Sequence, residues 1–337
     1  MRVMGVLFAA ILMVNSLLSG CSTSSQEKEK NSIRIGVSLY RSDDTFITNI
    51  REELENKAKL YEKNSGIKVT LDIQDAKGSQ NTQNNQVERF ISLGCDVLCI
   101  NPVDRMDASG MIDKAMTAGI PVVFFNRQPV EEDMNRWDQL YYVGADAKES
   151  ATLQGNIVVE EYRRRPQSID LNGDGVVTYV LLEGESSHQD SLIRTEWSIQ
   201  TLKDGGVPIE KLTGGIANWE RSQASALMEQ WLENYPGEIE LVISNNDDMA
   251  LGAIDAIDRA GVRNINLVGI DATSPGQEAV EAGKMLGTVS SDKSRYAQAI
   301  LDIATSKARK QAVATDMPLE DGKYYWCSQK IVMKNEQ

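Results

Sequence analysis

Histidine is represented once in this 337-residue chain and cysteine four times, too few for a small disulfide-stapled scaffold. Basic residues are outnumbered, 35 Lys+Arg against 49 Asp+Glu, for a net charge of −14. That balance repels a polyanionic backbone, so nucleic acid is not expected as a partner. Proline is sparse at eight, and no run of 18 or more apolar residues follows the N-terminus, so the body has no membrane-spanning segment. Missing too are the G-x-S-x-G, H-E-x-x-H, G-x-G-x-x-G and P-loop signatures, which leaves catalysis without a motif. What remains is ordinary globular usage, 41% hydrophobic and 25% charged, in a chain long enough for about two cores at roughly 150 residues each.

The first twenty residues differ from the rest. Arg2 precedes an apolar stretch over residues 3–12 that resumes at Leu17 and Leu18, the pattern of a signal peptide. It ends in Leu18-Ser19-Gly20-Cys21, which resembles the bacterial lipobox and implies lipidation of Cys21 with loss of residues 1–20. Residues 21–32 are polar, with no face to bury, and read as a flexible tether. The expectation is an extracytoplasmic chain held to the cell membrane through its lipid alone. Cys95, Cys99 and Cys327 remain, so at most one disulfide can form; pairing of Cys95 or Cys99 with Cys327 stays open. Both Cys95 and Cys99 sit in an apolar run, where cysteine is a common core filler.

After the tether, short apolar runs alternate with amphipathic stretches: residues 33–39 then 46–61, 68–73 then 80–93, 97–100 then 108–118, and 122–125. This is βαβαβαβ, and continuous hydrophobic strands between helices indicate a parallel sheet covered on both faces. The pattern restarts with helix 147–163, strand 176–182, helix 191–203, a short run near Ile209, helix 220–234, strand 240–244, helix 249–260 and strand 266–270. A further helix at 295–309 and an apolar run at 330–333 exceed what the second half needs. The predicted architecture is therefore α/β, with two similar doubly wound parallel-sheet lobes whose chain recrosses near residues 145, 290 and 327. One lobe takes residues 33–145 and 293–326, the other 146–292 and 327–337. Recrossing makes a hinge, and ligands of open α/β sheets bind at the strands' carboxyl ends.

Several segments could carry chemistry there. Asp170-Leu171-Asn172-Gly173-Asp174-Gly175 has the oxygen-ligand spacing and the turn glycine of an EF-hand calcium loop, with the Val176 carbonyl and Thr178 next. Position 12 is Leu181 rather than glutamate, and a plain Asx/Gly turn has the same composition. His188 and Asp190, with Arg194 one turn on, can present a carboxylate and a guanidinium fork to vicinal hydroxyls or form a helix-surface ion pair. Asp43-Asp44 with Phe46, Asn126, Asn245-Asn246-Asp247 and Asp271 also follow strands. Taken singly they are caps and turns. Together, with Phe46 and Trp219 as apolar faces for a ring, they have the composition of a carbohydrate site. Asp44, Asp190 and Asp271 could alternatively supply a glycosidase pair.

The ordered blocks Arg34-Ile35-Gly36-Val37 with Asp43-Asp44-Thr45-Phe46, Pro121-Val122-Val123-Phe124-Phe125-Asn126, Tyr141-Tyr142-Val143-Gly144, Asp170 to Gly175, Ser244-Asn245-Asn246-Asp247 and Gly269-Ile270-Asp271-Ala272 resemble the tethered or periplasmic sugar-binding proteins of ABC transporters, especially the galactose/glucose binders. The resemblance runs over about residues 33–289, and more loosely to the C-terminus. It implies a type I periplasmic binding protein fold with a three-strand hinge, a non-enzymatic monomer, and a hexose ligand handed to permease subunits. It also implies a sugar held by Asp44, Phe46, Asn126, His188, Asp190, Arg194, Trp219, Asn246 and Asp271. The family's last asparagine falls on Ser291, whose hydroxyl lacks an amide's paired donor and acceptor. A structural Ca2+ is implied on Asp170, Asn172, Asp174, Val176 and Thr178, completed by Glu240. A sugar-sensing subunit of a membrane signalling receptor would use the same residues.

Overall fold

The computed structural model describes residues 31–315 and 317–334. The signal segment and Cys21 lie outside the described residues. In chain order the elements are β1 Ser32–Leu39, α1 Thr45–Ser65, β2 Lys68–Asp75, α2 Gln80–Ser92, β3 Val97–Ile100, α3 Ser109–Ala118, β4 Val122–Phe125, α4 Glu131–Met134 and β5 Leu140–Ala145. There follow α5 Ala147–Arg164, β6 Val177–Glu183, α6 Gln189–Asp204, β7 Ile209–Ile216, α7 Arg221–Asn234, β8 Leu241–Ser244, α8 Asp247–Ala260, β9 Asn266–Val268, α9 Ser274–Glu281, β10 Gly287–Ser291, α10 Lys293–Ala308, β11 Tyr324–Cys327 and β12 Gln329–Met333.

The strands form two sheets of one design. The first runs β11-β5-β4-β3-β1-β2 and the second β12-β10-β9-β8-β6-β7. All pairings are parallel except β12, which lies antiparallel on β10. The central strands β3 (Val-Leu-Cys-Ile) and β4 (Val-Val-Phe-Phe) are buried at every residue, because helices cover both faces of a parallel sheet. On one face of the first sheet Ile35, Val37, Val123 and Val143 meet Ile47, Ile50 and Leu54 of α1 and Tyr296 and Ile300 of α10. On the other, Leu98, Ile100 and Phe124 meet Phe90 and Ile112. The second sheet is covered likewise on its two sides.

The run near Ile209 extends to an eight-residue strand with a mostly half-exposed pattern. Its weak apolar signal follows from its place at a sheet edge, paired only with β6. Strands β5 and β11, which no periodic pattern announced, pair with each other in parallel from residues 324–327 to 142–145. The chain passes from the first sheet to the second after Ala145, returns after Ser291 so that α10 packs on α1, and crosses once more after Cys327. Within each sheet the first strand lies between its two successors, β1 between β2 and β3 and β6 between β7 and β8. The crossovers diverge there, and a crevice opens at the strands' carboxyl ends.

Candidate functional site

The loops that leave β1, β4, β6, β7, β8 and β9 at that edge each deliver a functional group. Asp44 caps α1, its Oδ1 accepting from the Ile47 amide at 2.9 Å, and Phe46 sits in the first turn. Asn126 follows β4 with φ of 62°, its Oδ1 accepting from Asn101 Nδ2 at 3.1 Å. His188 caps α6, where Asp190 and Arg194 lie in the first turns. Asn246 caps α8 through the Met249 amide at 2.9 Å. Trp219 follows β7 in a left-handed conformation, φ 67°, and its ring lies against Gly184, where a Cβ would collide with the indole. Asp271 follows β9 with φ of 108°, a region that favours glycine, so the loop holds this carboxylate under backbone strain.

These nine side chains line one cleft, joined by Tyr40 and Arg127. Its lining sets three carboxylates, Asp44, Asp190 and Asp271, against the guanidiniums of Arg127 and Arg194: Arg194 stands between Asp190 at 3.4 Å and Asp271 at 3.6 Å and donates to the Asn245 carbonyl at 2.9 Å. Both carboxylates are buried, and burial raises their pKa above the usual range against the opposing pull of Arg194. His188 accepts from the Asp190 amide through Nδ1 at 3.1 Å. Burial, aided by Arg127 and Arg194, pushes its pKa well down, so the ring is neutral, Nε2 carries the proton, and its 4.0 Å approach to Asp190 is not an ion pair. Three buried donors of the cleft residues, Arg127 Nε, Arg194 Nε and Trp219 Nε1, have no partner among the described residues. Buried polar groups are seldom left so, and Arg194 keeps Nε, together with an Nη2 whose contact to Asp190 is long at 3.4 Å, for a ligand. The aromatic surfaces are fixed from behind, Phe46 edge-on to Tyr296 at 5.9 Å and Trp219 edge-on to His188 at 5.2 Å. Acceptors, donor forks and apolar faces suit a hydroxyl-rich ring.

Ser291 is not with them. It ends β10 and lines a separate recess beside the crossing segments, with Ser290, Asp292, Lys293, Ser328, Gln329 and Lys330. Tyr40 and Arg127, which sequence reasoning missed, each sit next to a segment already singled out: Tyr40 directly after β1 and Arg127 directly after Asn126. Nothing in their local pattern marks them. Cys95, Cys99 and Cys327 are all buried free thiols.

In the candidate calcium loop the side-chain oxygens are turned onto backbone amides. Asp170 folds its carboxylate onto the Gly173 and Gly175 amides at 2.8 and 3.0 Å. Asn172 and Asp174 accept from the Asp174 and Val176 amides at 2.8 and 2.9 Å. Glu240, 2% exposed, enters from the start of β8 and accepts from the Leu171, Asn172 and Thr178 amides at 2.7, 3.0 and 2.8 Å. The Thr178 hydroxyl lies between Glu240 and the Glu238 carbonyl. The donor atoms are all oxygen, the type a hard cation takes, but Glu240 Oε1 already accepts from two amides and Oε2 from the Thr178 amide with its hydroxyl 3.0 Å away, so its carboxylate is spent on the protein's own donors. Among the described residues no three His, Cys, Asp or Glu side chains converge at metal-binding spacing, and none of the described helices is long and apolar enough to cross a membrane.

A family model described as "Periplasmic binding protein domain" matches residues 35–312. The chain is 36% identical over 277 residues to the D-galactose/methyl-galactoside binding periplasmic protein MglB of Haemophilus influenzae, covering 82% of each. It is 33% identical over 282 residues to a putative rhizopine-binding protein of Rhizobium meliloti, covering 83% of this chain and 85% of that one. Among solved structures it is similar, with a TM-score of 0.73 and 29% identity over 91% of this chain and 96% of the other, to an ABC transporter solute binding protein from Bacillus halodurans C-125 with bound myo-inositol. With two α/β lobes of the type I fold and a family match over most of its length, the chain belongs to the periplasmic binding proteins.

Proposed function

We propose that this protein binds a hexose, galactose or glucose, between its two lobes outside the cytoplasm and delivers it to the permease of an ABC importer. The observation that carries the reading is the cleft itself. Both sheets contribute their carboxyl-end loops to it, so one ligand touches Asp44, Phe46 and Asn126 on one side and His188, Asp190, Arg194, Trp219, Asn246 and Asp271 on the other. A sugar that bonds both sides stabilises the closed arrangement by its differential affinity, and a permease can read that arrangement. Asp44, Asp190 and Asp271 accept from hydroxyls, Arg194 and the neutral His188 donate, and Phe46 and Trp219 cover the C–H faces of the ring.

Relatives named for a galactoside, a rhizopine or bound myo-inositol support a small ring rich in hydroxyls. Because Ser291 lines a separate recess rather than the cleft, its exchange for the family's asparagine bears on the hinge more than on recognition of the ring. A calcium ion held by Asp170, Asn172, Asp174, the Val176 carbonyl, Thr178 and Glu240 would brace the start of β6 and β8, supplying charge to neutralise three carboxylates. Anchoring through a lipid on Cys21 and a monomeric state complete the reading.

Calorimetric titration of the chain from Ser22 with galactose, glucose, ribose, arabinose and myo-inositol tests it. Tight binding of a hexose with weaker binding of the pentoses is the expected result. Preference for myo-inositol or a pentose would reassign the ligand, and no binding to any of the five would sink the sugar reading.

A further inference from the structure

One bidentate ion pair joins the lobes across the cleft. Arg127 follows β4 of the first sheet and Glu185 follows β6 of the second. Arg127 Nη1 and Nη2 donate to Glu185 Oε2 and Oε1 at 2.8 and 2.9 Å, and Nη1 also donates to the Val103 carbonyl at 2.9 Å. Arg127 is only 4% exposed, and its guanidinium carbon lies 3.7 Å from the centre of the Tyr40 ring. The Tyr40 hydroxyl in turn donates to Asp44 Oδ2 at 2.6 Å, while Asp44 Oδ1 is held by the helix cap. Contact therefore runs unbroken from Glu185 in one lobe to Asp44 in the other. A second pair between the lobes, Arg41 with Glu220 at 2.7 Å, has side chains 26% and 33% exposed and is screened by solvent. In the Arg127 pair the side chains are 5% and 23% exposed, so its loss strands the buried guanidinium.

We propose that Glu185, Arg127 and Tyr40 are positioning residues that tie the orientation of Asp44 to closure of the lobes. This rests on reading the cleft as a sugar site. A carboxylate gripping both Nη atoms fixes the plane of the guanidinium, and a fixed plane fixes the Tyr40 ring beneath it. Tyr40 then holds Asp44 where its free lone pairs meet a ligand hydroxyl. When the lobes part, Glu185 leaves with its own lobe, Arg127 keeps only Val103, and the clamp on Tyr40 is released. Lysine at 127 has neither the fork nor the planar face to do this.

The test is a double-mutant cycle on hexose binding with Tyr40→Phe, which keeps the ring and loses the hydroxyl, and Glu185→Gln, which keeps the shape and loses the charge. Calorimetry gives affinity and stopped-flow fluorescence gives the rates, with thermal unfolding to verify that each variant is folded. Each single change is expected to weaken binding about tenfold, through faster dissociation with the association rate unchanged, because the clamp forms after encounter. The double variant is expected to lose about tenfold rather than about hundredfold. Arg127→Lys should match Glu185→Gln and gives an independent break in the chain. Additive losses, an unchanged Tyr40→Phe, or an effect confined to association would overturn the proposal while leaving the sugar reading intact. A wild-type protein that binds no sugar would overturn both.

Discussion

Trp219 offers the sharpest test of the cleft. Asn218 and Trp219 are both left-handed, φ 52° and 67°, and this double turn presents the indole at the end of β7. Gly184 leaves room for the ring, His188 packs edge-on at 5.2 Å, and the Arg194 guanidinium lies 5.9 Å from its centre. If a bound sugar covers half of one indole face, roughly 80 Å², then Trp219→Ala loses about 2 kcal/mol at ~25 cal/mol/Å². That is about thirtyfold in Kd. Trp219→Phe keeps a platform and should lose only a few-fold, whereas Gly184→Ala displaces the indole without altering it and should approach the alanine variant. Calorimetric titration of the three variants with the preferred hexose, each first confirmed folded by thermal unfolding, decides the matter. Unchanged affinity in Trp219→Ala would refute the placement of the ring against the ligand.

Three further outcomes follow from the same structure. The fully buried Asp247 accepts from the Thr288 hydroxyl at 2.6 Å and the Thr273 amide at 2.8 Å, yet burial pushes its carboxyl up to about 7. Since the folded value exceeds the unfolded one, the contribution of this group to stability is fullest below about pH 4 and falls as pH rises toward 7; Asp247→Asn should remove that component of the pH dependence in urea unfolding, and an unaltered pH dependence would contradict it. Chelating calcium should lower the melting temperature by a few degrees without sugar present, and Asp174→Asn should blunt the effect; identical melts with and without chelator would dismiss the ion. Cys99, 1% exposed between β1 and β4, has its thiol pKa raised by burial. Cys99→Ala should cost about 1 kcal/mol of stability with no change in affinity, and weakened sugar binding would show that the first sheet's core reaches the site.

The readable parts of the chain share a local signature. β3 and β4 are solid apolar runs bounded by turns, and α1 spells itself out in Asp44 at the cap, buried Ile47, Ile50, Leu54 and Ala58 at helical spacing, and Gly66 at the end. Asp44, Asn126, His188, Asn246 and Asp271 were visible because Asn, Asp and His after a strand already stand out as caps or turn residues. The unread parts lack such a signature. β5 contains Leu-Tyr-Tyr-Val-Gly-Ala, whose burial depends on β11 arriving from 180 residues away. Ser291 was carried by a resemblance between neighbouring residues, and register at the end of β10 turns it to the hinge recess rather than to the cleft.

The sequence by itself determined the alternation of strands and helices, the doubling of the unit, and the polar groups stationed after each strand. These depend on hydrophobic period and capping, which act over a few residues. Only the tertiary structure decided that the groups face one another across a single cleft, that Arg194 is shared by Asp190 and Asp271, and that Arg127 reaches Glu185 58 residues away. The contacts of Arg194 with Asp271 and of Arg127 with Glu185 join residues from separate strand ends and, for Arg127, from different sheets, so they exist only once distant parts of the chain have folded together.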